Sequence, residues 1–90
     1  MHCYLITFEL DPAITGDTLI SAIKSYGTWG HVNGSNWAVV TEGTAASVRD
    51  KLAPLVGKNG RLFVIKTGIE AAWYNSNANS DWLKKYLMYG

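Results

Sequence analysis

The chain has 90 residues, a formal net charge of +1 and 48% apolar residues, which fits one small folded domain rather than a disordered segment. A charge this close to zero argues against a protein that holds long nucleic acids through a broad basic surface. The single cysteine excludes both an internal disulfide and a zinc site built on cysteines.

The first third of the chain predicts a strand followed by a helix. Residues 3–10 are rich in β-branched and aromatic side chains, and their nearly continuous apolar pattern indicates a strand in the middle of a sheet. Pro12 marks the end of this strand because it cannot donate a backbone hydrogen bond to a neighbour. Either Thr15 or Asp17 can then cap a helix with apolar residues at helical spacing, which ends at Gly27.

A hairpin and a second helix–strand pair follow. Strands over about residues 28–32 and 36–41 are joined by Asn33 and Gly34, which both tolerate positive φ. Thr44 can cap the second helix, and residues 61–66 form an apolar strand between two cations. The predicted fold class is therefore α+β, with a ferredoxin-like βαββαβ sandwich that has both helices on one face.

We expect residues 1–90 to form a single domain, with a core over about residues 1–67 and a C-terminal extension over about residues 68–90. The extension predicts a short strand over residues 69–74 and a last helix capped by Ser80. Four tryptophans and five tyrosines exceed the needs of one small core, which favours a homodimer. The aromatic residues expected at its interface are Trp73, Trp82 and Tyr86.

Several segments carry a family resemblance. Residues 4–6 lead to an acidic residue, residues 22–29 read Ala-Ile-Lys-Ser-Tyr-Gly-Thr-Trp with His31 close behind, and residues 70–73 and 80–83 continue the pattern. The chain thereby resembles the small bacterial proteins called SinR-like, distant relatives of the CRISPR-associated protein 2 family. The resemblance implies a ferredoxin-like protomer, a symmetric homodimer joined through C-terminal segments, and a link to nucleic acid.

The resemblance also implies a possible metal site. In the CRISPR-associated family an aspartate at the end of the first strand pairs across the dimer and is proposed to hold a divalent cation. Glu9 stands at the matching position here, and Asp11 follows two residues later. Two carboxylates and Mg²⁺ could activate water for phosphodiester cleavage, so a Mg²⁺-dependent nuclease is one reading. The alternative is a solvated carboxylate at a strand end, and a non-catalytic protein without a cofactor is preferred.

Candidate ligand-binding residues cluster around the predicted hairpin. Trp29 and His31 share one strand face by period-two alternation, and an indole beside an imidazole can form a platform for stacked bases. The alternative is a sheet face covered by a partner subunit. Short polar side chains beside the glycines could bind an anion or could be ordinary turn residues. The candidate set is Ser25, Tyr26, Thr28, Trp29, His31, Asn36 and Trp37.

Two lysines on the predicted last helix, Lys84 and Lys85, could contact phosphates, although cations near a helix C-terminus are also favoured without any ligand. The residues therefore leave two binding functions open. One is a dimeric relative of the CRISPR-associated subunit that binds nucleic acid or a nucleotide. The other is a protein that captures a small ligand, such as a signalling nucleotide, in pockets at the subunit interface.

The expected location is the cytoplasm, with no membrane partner. No apolar run approaches the ~18 residues of a membrane helix, and residues 1–30 do not follow the pattern of a secretory signal.

Overall fold

The structure is a computed structural model that describes residues 1–68, 72, 74 and 76–87. Over these residues the chain forms four strands, three α-helices and one 3₁₀ helix. In chain order they are β1 (His2–Glu9), α1 (Asp17–Lys24), β2 (Thr28–Asn33), β3 (Asn36–Thr41), α2 (Ala45–Leu52), the 3₁₀ helix (Ala53–Leu55), β4 (Arg61–Lys66) and α3 (Ser80–Leu87). The predicted α+β class is confirmed. The predicted strand over residues 69–74 and the interface residue Trp73 lie largely or wholly outside the described residues.

The four strands form one antiparallel sheet in the order β2-β3-β1-β4. Strand β1 is central, as its continuous apolar pattern predicts, and it pairs with β3 on one side and β4 on the other. Strands β2 and β3 form the predicted hairpin, and Gly34 turns it with a φ of 44°. Strand β2 therefore lies at one edge of the sheet, and the residues of its outer edge can meet other parts of the chain or a ligand.

One face of the sheet carries helices α1 and α2. Alternate residues of β1 (Tyr4, Ile6 and Phe8) point to this face and are buried. Both helices contribute apolar side chains at helical spacing to the same cluster, because residues three or four apart share one side of a helix. The buried core on this face contains Tyr4, Ile6, Phe8, Leu19, Ile23, Trp37, Val39, Val48, Leu52 and Val56.

The opposite face of the sheet is partly covered by helix α3. A smaller buried cluster forms there from Cys3, Ala38 and Val40, with the half-buried Trp82 and Tyr86 of α3 packed against it. Leu83 of the same helix is fully buried. The C-terminal helix therefore packs on the sheet of its own chain. The expectation that Trp82 and Tyr86 also contact a second subunit remains a prediction.

Two helix starts differ from the sequence-based expectation. Helix α1 follows Gly16, and neither Thr15 nor Asp17 supplies a capping side chain. Helix α3 is capped by Asn79, whose Oδ1 accepts from the backbone N–H groups of Asp81 and Trp82, rather than by Ser80. Several short polar residues precede each helix, and spacing alone does not decide which of them is the cap. The predicted Thr44 cap is confirmed, because its hydroxyl accepts from the backbone N–H of Ser47.

Candidate functional site: a groove at the edge of strand β2

A hollow of about 240 Å³ lies along the outer edge of strand β2. We call it the β2-edge groove. Strand β2 forms one wall, and the segment that leads into helix α3 forms the other. The lining residues are Trp29, Gly30, His31, Asn77, Ala78, Asn79 and Trp82. The lining therefore includes two tryptophans, a histidine and two asparagines, which are residue types that can pack against a flat ligand and hydrogen-bond to its edge.

Backbone hydrogen bonds hold the second wall against the strand. The N–H of Asn77 donates to the carbonyl oxygen of Val32 at 2.8 Å, and the Ser76 hydroxyl donates to the same oxygen at 2.8 Å. The Ser76 oxygen in turn accepts from the N–H of Ala78. These bonds fix residues 76–78 beside the strand edge, so the width of the groove does not depend on side-chain packing alone.

Trp82 joins the groove to the sheet. A β-carbon placed on Gly30 would lie 3.1 to 3.3 Å from three carbons of the Trp82 ring, so the indole lies directly over the glycine. Glycine in a strand interior often marks such a close approach. Gly30 is therefore required by the packing of helix α3, and the ring it admits forms one side of the groove.

The aromatic side chains of the hairpin stack on one another. The His31 and Trp37 rings are 4.2 Å apart and nearly parallel, and the Trp29 and Trp37 rings are 5.6 Å apart. The Nε2 of His31 is 2.8 Å from the carbonyl oxygen of Gly34. Because that oxygen can only accept, Nε2 carries the proton. Trp37 is buried, and because it pairs with His31 across the hairpin, the three rings share the sheet face that carries α1 and α2, whereas Trp82 packs on the other face.

A lysine lies beside the hairpin aromatics. The Nζ of Lys24, at the end of helix α1, is 4.9 Å from the centre of the Trp29 ring and 6.0 Å from that of Trp37. These distances suit cation–π contacts. An ammonium group therefore lies close to an indole of the groove, and a long lysine side chain can turn to a nearby anion.

The other predicted ligand residues lie elsewhere. Ser25 accepts a 2.9 Å hydrogen bond from the Nζ of Lys51, and that nitrogen is 4.1 Å from the centre of the Tyr26 ring. Asn36 donates to the side-chain oxygen of Asn33 across the hairpin turn, and Thr28 starts strand β2 opposite Val40. The structure thus places Trp29 and His31 along the groove, with Trp37 beside them on the neighbouring strand. The other four do not line it.

Nothing in the sequence singles out Asn77 and Asn79 as groove residues. The sequence places them in a polar segment before a helix, which is typical of any connecting loop. The hydrogen bond from residue 77 to strand β2 joins positions 45 residues apart, and nothing in the local pattern indicates it. Lys84 and Lys85 are exposed on α3, and the Nζ of Lys85 lies 5.2 Å from the Tyr86 ring centre.

The two proposed metal-site carboxylates have other partners. Glu9 is exposed and forms a 3.3 Å ion pair with Arg61. Asp11 accepts from the backbone N–H groups of Ala13 and Asn59, one on each oxygen, and these bonds lower its pKa below the ordinary value of 3.8. Within the described part of the chain, no three His, Cys, Asp or Glu side chains are grouped closely enough to hold a metal ion.

No family model, curated protein or solved structure matches this chain. Across the described residues, no helix is both long and apolar enough to cross a membrane.

Proposed function

We propose that this chain is a nucleotide-binding protein that holds the base of a small nucleotide in the β2-edge groove. The observation that carries the proposal is that two tryptophans and two asparagines, Trp29, Trp82, Asn77 and Asn79, line one hollow at the edge of strand β2. Ligand pockets are generally apolar with a few placed polar groups, and pockets for drug-sized ligands are about 300–1,000 Å³. A hollow of about 240 Å³ is below that range and suits one ring system.

The charge distribution favours a small ligand over a long duplex. Duplex binding depends on many lysine and arginine contacts to phosphates, whereas this chain has a net charge of +1. One nearby ammonium group, that of Lys24, is enough to meet the phosphate of a mononucleotide whose base stacks on Trp29. Single-stranded nucleic acid could use the same stacking surface, and the experiment below distinguishes it.

The test replaces Trp29 by alanine and measures the binding of a mononucleotide, guanosine monophosphate or uridine monophosphate, by calorimetry. Stacking of a base on an aromatic ring is worth about 1–3 kcal/mol by alanine substitution, so Kd should rise by roughly 5- to 140-fold. Trp29→Phe should restore much of the affinity because it keeps an aromatic face. Thermal unfolding of each variant separates a lost contact from a lost fold.

Ile14→Ala is the matched control. It removes another exposed apolar side chain, from the loop between β1 and α1, and leaves both the groove and the proposed subunit contact intact. Unchanged binding by Trp29→Ala, or an equal loss in both variants, would contradict the proposal. Titration in rising salt identifies the ligand class: mononucleotide affinity should change little, whereas an oligonucleotide that binds through its phosphates should lose affinity steeply.

We further propose a ferredoxin-like protomer, a homodimer and a distant relationship to the CRISPR-associated protein 2 family. The strand order β2-β3-β1-β4, with α1 and α2 on one face, supports the ferredoxin-like topology. Exposed apolar side chains on β4, those of Phe63 and Ile65, support a subunit contact on the part of the sheet beside α3. The family relationship rests on the sequence resemblance alone.

The Mg²⁺-dependent nuclease remains a third proposal, and the residues of one protomer do not fit it. Both Asp11 oxygens face backbone N–H groups, and Glu9 is paired with Arg61. We therefore derive no metal-assisted step from these carboxylates.

A further inference from the structure

The Asn79 carboxamide has a fixed orientation. Its Oδ1 accepts from the N–H of Asp81 at 2.8 Å and from the N–H of Trp82 at 3.2 Å. Both partners can only donate, so the atom that faces the first turn of α3 must be the oxygen. The amide nitrogen, which can only donate, is therefore the polar atom that Asn79 can offer to a ligand.

Asn79 is one of the residues that line the β2-edge groove, the place where we propose that a base binds. The other carboxamide in the groove differs. The Asn77 backbone N–H donates a hydrogen bond to the Val32 carbonyl oxygen, but this bond does not determine which way the Asn77 side-chain amide is turned. Asn77 can turn to present either its oxygen or its nitrogen, whereas Asn79 cannot turn without losing the cap of helix α3.

We propose that the groove discriminates between bases by this donor and prefers keto bases to amino bases. This inference rests on the proposed function and names the class of base. Keto bases present a carbonyl oxygen where amino bases present an exocyclic N–H₂ donor. A fixed donor pairs with the carbonyl and is left facing another donor when the base carries an amino group, and unpaired polar groups in a binding site reduce affinity.

The experiment uses uncharged nucleosides in two matched pairs. Uridine and cytidine differ by keto against amino at one ring position, and inosine and adenosine do likewise. Calorimetry or ligand-observed NMR on the full chain should give a several-fold lower Kd for uridine than for cytidine, and for inosine than for adenosine. Because nucleosides carry no phosphate, electrostatic attraction to Lys24 does not affect the comparison.

Asn79→Asp is the decisive variant. Aspartate caps a helix about as well as asparagine, so helix α3 should stay in place, but the donor is replaced by an acceptor. The keto preference should disappear or reverse, and thermal stability should be unchanged. Lys58→Gln, which lowers the net charge by the same one unit near strand β4, should keep the keto preference of the native chain.

The outcomes separate the two proposals. Binding of all four nucleosides without a keto preference would overturn the inference about Asn79 and leave the proposed function standing. The same result follows if Asn79→Asp retains the native preference. If none of the four nucleosides and no mononucleotide binds, the proposed function fails and this inference fails with it.

Discussion

Gly30 brings strand β2 and helix α3 into direct contact, since it leaves the space over its α-carbon to the Trp82 ring. Trp82 is half-buried there, and it packs against the small cluster of Cys3, Ala38 and Val40. Because Gly30 has no β-carbon, the Trp82 ring can both pack helix α3 on the sheet and line the groove.

Gly30→Ala should therefore destabilise the protein. Its new methyl group would lie 3.1 to 3.3 Å from ring carbons of Trp82, and over-packing of this kind typically costs about 1–3 kcal/mol. Urea unfolding followed by tryptophan fluorescence measures the change. Gly68→Ala is the control, because a β-carbon there would meet no atom within 4 Å. Equal midpoints for the two variants would show that the Trp82 contact is not tight.

The sequence predicts the conformation or hydrogen bond of a single residue when neighbouring residues determine it. The Thr44 cap and the positive φ of Gly27 and Gly34 follow from neighbouring residues, and the structure confirms them. The contact between Gly30 and Trp82 spans 52 positions, so no local pattern carries it. The neighbourhood of Trp29 and His31 follows from their shared strand, whereas Asn79 comes near strand β2 only through the fold.

Helix α3 is the element whose docking decides what the second face of the sheet exposes. Its Leu83 is fully buried, and the helix packs over a cluster that contains the cysteine thiol. Burial raises the pKa of Cys3, and a hydrogen bond with the Thr67 side chain opposes that rise. A buried thiol with a raised pKa reacts slowly because the thiolate is the reactive form.

Leu83→Ala should expose that thiol. Removing a buried leucine side chain costs about 2–5 kcal/mol, and each 1.4 kcal/mol lost from docking makes the undocked state about tenfold more populated. The rate of Cys3 labelling by a thiol reagent in native buffer should therefore rise more than tenfold. Far-UV circular dichroism should show that strands β1 to β4 are retained.

Lys84→Ala is the control, because it changes the next residue on the same helix, which is exposed. Cys3 of this variant should be labelled at the native rate. If Leu83→Ala also labels at the native rate, α3 does not cover the thiol in solution.

The helices cover the two faces of the sheet unequally. Helices α1 and α2 cover one face, whereas α3 lies over parts of β1, β2 and β3 on the other. Beside α3, Phe63 is 59% exposed and Ile65 is 48% exposed. Their partners across the β1–β4 ladder are Thr7 and Leu5. Exposed large apolar side chains in one row are typical of a contact surface.

The proposed homodimer can be formed by stacking two such surfaces about an axis parallel to the strands. Phe63 would then lie over Thr7 of the second copy, and Ile65 over Leu5. The Glu9 carboxylate and the Arg61 guanidinium, which pair at 3.3 Å within one chain, would exchange partners between copies. In the proposed dimer each carboxylate would thus meet a guanidinium and the apolar row would meet its own copy, as a two-fold interface requires.

Phe63→Glu should dissociate this dimer, because it places a carboxylate on the apolar row. Light scattering after size-exclusion chromatography at micromolar concentration should give twice the chain mass of 9.9 kDa for the native chain and the single mass for the variant. Ile14→Glu, at another exposed apolar side chain, should leave the dimer intact. A native chain that is monomeric throughout would rule out the proposal, and so would a dimeric Phe63→Glu.

At the scale of the whole fold, hydrophobic periodicity was sufficient for most of the architecture. The pattern placed β3 and β4 with the observed bounds, and the continuous apolar run correctly put β1 in the middle of the sheet. It did not determine where the C-terminal helix packs. The apolar stripe that includes Leu83 indicates that the helix buries one side. It does not indicate whether that side packs on the sheet of its own chain or on that of a second copy.

The hydrogen bond from the Asn77 N–H to the Val32 carbonyl also affects how the protein behaves at high concentration. An edge strand with unpaired backbone groups can recruit the same strand from another molecule and so start open-ended polymerisation. Residues 76–78 take up one end of the β2 edge and lie alongside it, but they form no strand of their own that could pass the pairing on. The segment that builds one wall of the groove therefore also protects this edge from fibril growth.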